Sequence, residues 1–176
     1  AAGARRRDEA DAVVLAQGLR VHARELGRDL PPGWFGENLR IDGMAVTDAV
    51  VGERWEVGTD GLVLEVTIPR VPCKTFAVWA GEPRWMKRFL APADFGTYLR
   101  VVRNGTVAQG DRITVVHRPG HGVRSRDLLA GGDVEAIRSL LAQDDLPAKV
   151  RREATKMVNK SQRRVGAATQ GGQHKS

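Results

Sequence analysis

The four residues Gly58-Thr59-Asp60-Gly61 constrain this chain more than any others, because they separate two runs that alternate in character. Arg54-Trp55-Glu56-Val57 precedes them and Leu62-Val63-Leu64-Glu65-Val66-Thr67-Ile68 follows. Asp-Gly between such runs is a strong signal for a β-hairpin. Alternation then places Leu62, Leu64, Val66 and Ile68 on one face. Further on, Tyr98 to Arg103 reads as a strand ended by Asn104-Gly105, and Ile113 to His117 as another opened by Gly110-Asp111. Roughly four to seven short strands with tight turns, and no helical crossover until late, predict an antiparallel β-barrel. Its span is residues 31–125, and the fold class is mainly β with added α.

Helical spacing brackets this region. Over Asp8 to Leu26, apolar side chains fall at Val14, Leu15, Leu19, Ala23 and Leu26, which predicts an N-terminal helical segment within residues 1–30. Gly18 interrupts it, Gly27 is placed to end it, and Leu30-Pro31-Pro32-Gly33 breaks any continuation. A short helix carrying Trp85, Phe89 and Leu90 is expected within Gly81 to Leu90. Residues 126–165 hold the C-terminal helices. Asp133 caps one bearing Val134, Ile137, Leu140 and Leu141, and Pro147 opens another with Val150, Ala154, Met157 and Val158 on one side. Residues 166–176, rich in Gly, Gln, Ala and Thr, are expected to be a disordered tail.

The net charge of +7 belongs to an appendage. Residues 1–147 carry 20 basic and 20 acidic side chains, whereas eight basic residues from Lys149 onward face one acid, Glu153. No apolar run approaches the roughly 20 residues that cross a bilayer, so no membrane is expected. A single cysteine makes no internal disulfide, and a lone thiol persists most easily in a reducing compartment, which points to the cytoplasm.

That thiol is the first candidate for chemistry. Pro69 and Pro72 end the strand before it, so Cys73 emerges on a stiff loop. Arg70 or Lys74 near the sulfur would favour the thiolate, which attacks electrophiles and binds soft metals. The alternative is a small buried hydrophobe, as most lone cysteines are. In Gly33-Trp34-Phe35-Gly36-Glu37-Asn38-Leu39, Glu37 and Asn38 either hydrogen-bond a polar ring or cap a turn. Arg100, amid apolar strand residues, is either an anion clamp or a structural partner for Glu65 or Asp111. His117 and His121 are not spaced as zinc ligands, and no Walker loop, dinucleotide fingerprint or serine-hydrolase elbow occurs.

These segments, with Val51-Gly52-Glu53-Arg54, Leu64-Glu65-Val66, Pro69-Arg70-Val71-Pro72-Cys73-Lys74, Gly96-Thr97-Tyr98-Leu99-Arg100-Val101 and the closing Gly110-Asp111, resemble in order and spacing the signature of MOSC domains. MOSC names the C-terminal domain of molybdenum cofactor sulfurases, and this chain is most similar to the small stand-alone bacterial type. The resemblance implies a barrel that binds the molybdenum cofactor, a molybdenum ion held by a pterin dithiolene, with Cys73 as catalytic thiol and metal ligand. Glu37, Asn38, Arg70, Lys74 and Arg100 match motif positions and are the implied cofactor-binding residues. Pyridoxal phosphate is not expected in this domain. Family members have β-strands and a His-Gly-Gly-like segment before the helix assigned to residues 8–26. Here Ala1-Ala2-Gly3-Ala4-Arg5-Arg6-Arg7 stands instead, so those strands are expected to be missing or replaced, and pairing into a homodimer is one way to cover the open edge.

Three functions follow as expectations. The first is an oxidoreductase that reduces small N-hydroxylated compounds, such as hydroxylamino bases. One cysteine cannot bind a four-thiolate cluster, so a separate reductase would donate the electrons. The second is a sulfur or molybdenum-cofactor carrier, with a persulfide on Cys73. The third, a nucleic-acid-binding barrel with a basic tail, is disfavoured because the body is neutral and has few aromatics placed for stacking.

Overall fold

The hairpin expected around Asp60-Gly61 lies inside a six-stranded sheet. Its arms are β3 (Arg54–Val57) and β4 (Leu62–Pro69), paired antiparallel with Val57 opposite Leu62 and Arg54 opposite Glu65. The computed structural model describes residues 13–18, 21–91 and 94–171. The other strands are β1 (Val13–Gly18), β2 (Leu39–Ile41), β5 (Thr97–Arg103) and β6 (Ile113–His117), in the order β2-β1-β5-β4-β3-β6. The turn after β5 abuts the β3–β4 turn so closely that a Cβ on Gly105 would lie 2.5 Å from the Leu62 nitrogen. Only glycine fits there.

Two expectations about the sheet are corrected. The sheet with added helices is present, although helical residues outnumber strand residues, and among the described residues the sheet is open, with β2 and β6 at its ends. β2, three residues long, is too short to carry the continuous ladder that closure needs. The β1–β2 pair is also parallel, while every other pair of named strands is antiparallel. At the N-terminus the expected helix is instead strand β1 followed by helix α1 (Val21–Leu26). Val13-Val14-Leu15 suits a strand as well as a helix, and ladders to both β2 and β5 outweigh the helical spacing. Residues 1–7, where the family's first strands were expected to be missing or replaced, lie outside the described residues, as do residues 8–12.

Leu62, Leu64 and Val66 pack with Trp55, Val57 and Leu99 on one side of the sheet. Ile68 joins the opposite cluster, because the β4–β5 register shifts between Val66 and Pro69 and turns the strand end over. That cluster is covered by α4 (Asp127–Ala130), α5 (Val134–Leu141) and α6 (Ala148–Gly171). Asp133 caps α5 by accepting from the Glu135 N–H at 2.9 Å. α6 begins one residue past Pro147 and buries Val150, Ala154, Met157 and Val158 as expected. Burying Val150, Met157 and Val158 stabilises the helix by about 1.5 to 3 kcal/mol each before ordering costs. The backbone stays helical through Gly171, which corrects the disordered tail over 166–171, since extending a nucleated helix costs little. Residues 172–176 lie outside the described residues.

A third cluster is aromatic: Trp34, Phe35, Phe76, Trp85, Phe89 and Phe95, lying between α1 and the helices α2 (Lys74–Ala80) and α3 (Trp85–Leu90). His22 stacks on Phe89 at 4.6 Å and donates from Nε2 to the Asp94 carbonyl at 2.7 Å. Burial lowers the His22 pKa below its ordinary 6.5 despite the opposing Asp94 carbonyl, and burial does the same at His121. The unfolded chain therefore takes up protons that these folded histidines refuse. Stability is full above pH 6.5 and declines as pH falls through the folded values. The urea midpoint is expected to drop between about pH 7.5 and pH 5.5, and less steeply in His22→Gln, which keeps a donor for Asp94. Equal declines in both proteins would contradict this assignment.

Candidate functional site

Proline spacing and a register shift end β4 at Pro69, and the chain turns directly into α2. Two contacts from the start of β5 lock this exit. The Arg70 N–H donates to the Gly96 carbonyl at 3.1 Å, and Thr97 Oγ1 donates to the Ile68 carbonyl at 3.1 Å. Thr97 Oγ1 also lies 2.6 Å from Ser125 Oγ, which ties the strand to the helical layer. Segments about 25 residues apart in sequence, Pro69–Lys74 and Gly96–Val101, are thereby neighbours in space.

Cys73 is exposed and is the N-cap of α2. Its backbone is extended, and Sγ accepts the Phe76 N–H at 3.4 Å. The thiol is thus at a helix start, exposed rather than packed as a small hydrophobe. Lys74, the first residue of α2, is exposed.

Arg70 behaves differently from its neighbour. It is buried, with its guanidinium 4.2 Å from the Phe76 ring centre and 5.4 Å from that of Phe89. Burial lowers its pKa, while Tyr98, Cys73 and Glu37 pull it back up, so these three groups share its electrostatic surroundings. Arginine stays charged regardless. Its Nη1 is buried without a hydrogen-bond partner. A buried cationic donor in that state is costly unless an acceptor meets it.

The Gly33–Leu39 segment packs beside α2 through Trp34, whose ring centre is 5.8 Å from Phe76 and 5.2 Å from Trp79. Glu37 is turned inward on its own loop. Its carboxylate accepts from the Gly33 N–H at 2.8 Å, the Phe35 N–H at 2.9 Å and Arg40 Nε at 3.1 Å. Asn38 is exposed just before β2.

Arg100 stands apart from this group. Its Nε donates to Glu65 at 2.7 Å, and Arg54 Nε donates to the other Glu65 oxygen at 2.8 Å, so one buried carboxylate joins three adjacent strands. They line a cleft of about 460 Å³ with His117 and the α5–α6 connection, residues 142–147; Cys73 and Arg70 are not in it. Asp111 instead accepts from the Ala108 N–H.

Several participants carried no sequence signal. Phe76 and Phe89 together meet Arg70 only because α2 and α3 fold back on each other, and α2 itself was hidden behind Pro72. Tyr98, the single tyrosine, is close to Arg70 only through the β4–β5 ladder. Among the described residues no three His, Cys, Asp or Glu side chains group as a metal site. A metal at Cys73 would take one protein ligand and carry the rest of its ligands with it. Nor is any described helix long and apolar enough to cross a membrane.

The family model of the MOSC domain matches residues 8–114. A "Reductase" of Gibberella moniliformis is 33% identical over 87 residues, 49% of this chain and 15% of that protein. The uncharacterized protein YflK of Bacillus subtilis is 28% identical over 116 residues, 66% of this chain and 52% of that one. The chain therefore spans about half or less of these relatives. Among solved structures, YiiM from Geobacillus stearothermophilus superposes with a TM-score of 0.69 at 22% identity, covering 82% of this chain and 77% of that one. YiiM from Escherichia coli gives 0.66 at 18%, covering 86% and 87%.

Proposed function

The chain belongs to the MOSC domain family, and from that premise we propose that it holds the molybdenum cofactor at Cys73 and reduces small N-hydroxylated compounds. The supporting observation is the pairing of an exposed thiol with a buried arginine three residues away whose Nη1 has no partner. That pair fits a group that is a soft metal at one point and an anion or acceptor-rich ring at another. A cysteine thiolate suits molybdenum, and a guanidinium suits phosphate or a pterin carbonyl. When bound, the cofactor supplies the two-electron redox centre.

This chain's own residues would do the binding and orienting. Cys73, fixed by the cap at Phe76, keeps its sulfur exposed, and Arg70, against the adjacent rings of Phe76 and Phe89, keeps an Nη1 without a partner. Glu37 keeps the Gly33–Glu37 turn closed so that Trp34 stays against α2. Val71, beside the thiol in sequence, and Val78 and Trp79, further along α2, are exposed apolar side chains, with Trp79 57% exposed, and a planar heterocycle bound at the thiol would have such surface to lie on. Lys74, next to Cys73, and Asn38, exposed at the end of the Gly33–Leu39 segment, are further candidate contacts, while Arg100 is engaged by Glu65.

The overall conversion is R–NHOH plus two electrons and two protons to R–NH2 and water. Among the described residues nothing forms a second redox centre, so a separate reductase is the proposed donor. The name of the Gibberella relative, a reductase, agrees with this direction of chemistry. Protein purified from a cofactor-producing host and supplied with a reduced viologen is expected to convert a hydroxylaminopurine to the aminopurine. Bound cofactor with no conversion under excess reductant would overturn the reductase assignment and favour a carrier bearing a persulfide on Cys73.

A further inference from the structure

α6 has two stretches with different surroundings. Up to Val158 it is anchored by apolar side chains, whereas Asn159, Lys160, Ser161, Gln162, Arg163 and Arg164 bring none, and five of these six are exposed. Lys149, Lys160, Arg163 and Arg164 make no ion pair or hydrogen bond within the described residues. Lys156 is held on Glu153, the only acid of the helix, at 3.0 Å. Lys156, Asn159, Lys160, Arg163 and Arg164 together line an open cleft of about 440 Å³. Cations three or four residues apart share one helix face, and Lys149 to Arg164 spans about 22 Å at 1.5 Å per residue.

We propose that this face of α6 docks the phosphate backbone of duplex nucleic acid. The neutral body makes the charge a local feature, so it acts as a directed patch. An anionic membrane fits less well, because interfacial helices insert an apolar face and here that face is spent on Val150, Ala154, Met157 and Val158 in the core. A line of unpaired cations interleaved with Asn159 and Gln162 matches backbone contact, which needs charge and hydrogen-bond donors without an apolar wedge. This surface is independent of Cys73 and of the reductase assignment.

Fluorescence anisotropy of a labelled DNA duplex of about 20 base pairs, titrated with the full chain between about 50 and 200 mM salt, reads the contact directly. Four contacting cations give a slope of log affinity on log salt of about −3.6, at roughly −0.9 per neutralised phosphate. The triple variant Lys160→Gln, Arg163→Gln, Arg164→Gln, which replaces only exposed residues, is expected to keep the wild-type thermal midpoint and reduce the slope to about −0.9. Affinity or slope unchanged in that variant would overturn the proposal. So would a wild-type chain that ignores the duplex, whether or not it binds phosphatidylserine vesicles.

Discussion

Replacing Glu53 with alanine is expected to lower the unfolding free energy by about 3 kcal/mol, equivalent to a fall of roughly 9 °C in thermal midpoint for a chain of this size. Glu53 is fully buried, yet every bond it makes is local to one corner of the sheet. Its carboxylate accepts from Trp55 Nε1 at 2.7 Å, from Arg118 Nε at 2.7 Å and, more weakly, from the Val50 N–H at 3.4 Å. Alanine strands the Trp55 indole N–H in the core, at about 1 to 3 kcal/mol, and leaves a small cavity besides. Arg118 is 62% exposed and loses little itself, but its removal leaves the buried Glu53 carboxylate without a counter-charge, so Arg118→Ala is expected to cost about 2 kcal/mol, less than Glu53→Ala. Glu53→Gln, which retains an acceptor for Trp55, should fall between the two. Urea unfolding of the three variants checks the ordering; a Glu53→Ala change below about 1 kcal/mol would mean that the tryptophan finds another acceptor.

The second large effect is one of function without fold. Cys73→Ser is expected to lose more than about 100-fold in reductive turnover, beyond what removing a group one step outside a metal costs. Its thermal midpoint should stay within about 2 °C of wild type. Cys73 is exposed, and among the described residues its thiol makes only the weak cap on Phe76 at 3.4 Å, while its carbonyl accepts the Ala77 N–H whatever the side chain. Serine is among the best N-caps, so α2 keeps its start or gains from the change. What serine cannot replace is a soft, polarizable sulfur donor. A loss of turnover accompanied by unfolding would move Cys73 into the structural category; full turnover would remove it from the chemistry.

The parts of the fold visible in the sequence are those with short-range causes. The β3–β4 hairpin follows from its turn, α5 from the Asp133 cap and its 3.6-residue spacing, and the inner face of α6 from Val150, Ala154, Met157 and Val158. β1 was not legible, because Val13-Val14-Leu15 carries no local preference strong enough to decide, and two partner strands settle its conformation. The flipped Ile68 depends on a register shift that leaves no mark in the residues themselves. At the site, motif order located Cys73, but not the folding of α2 and α3 that buries Arg70 against a pair of adjoining aromatic rings. Glu37 and Arg100 illustrate the same limit. Each had two chemically sensible roles, and only the partners in space, Gly33, Phe35 and Arg40 for one and Glu65 for the other, show where their charges are engaged.

The most direct test of the account is molybdenum and pterin content in wild-type protein and Cys73→Ser, each expressed in a cofactor-producing host and checked for equal thermal stability. Near-stoichiometric molybdenum with pterin fluorescence in the wild type, and neither retained in Cys73→Ser, is the expected result. Equal molybdenum and pterin in the two proteins would contradict the assignment of Cys73 as the thiol that holds the metal.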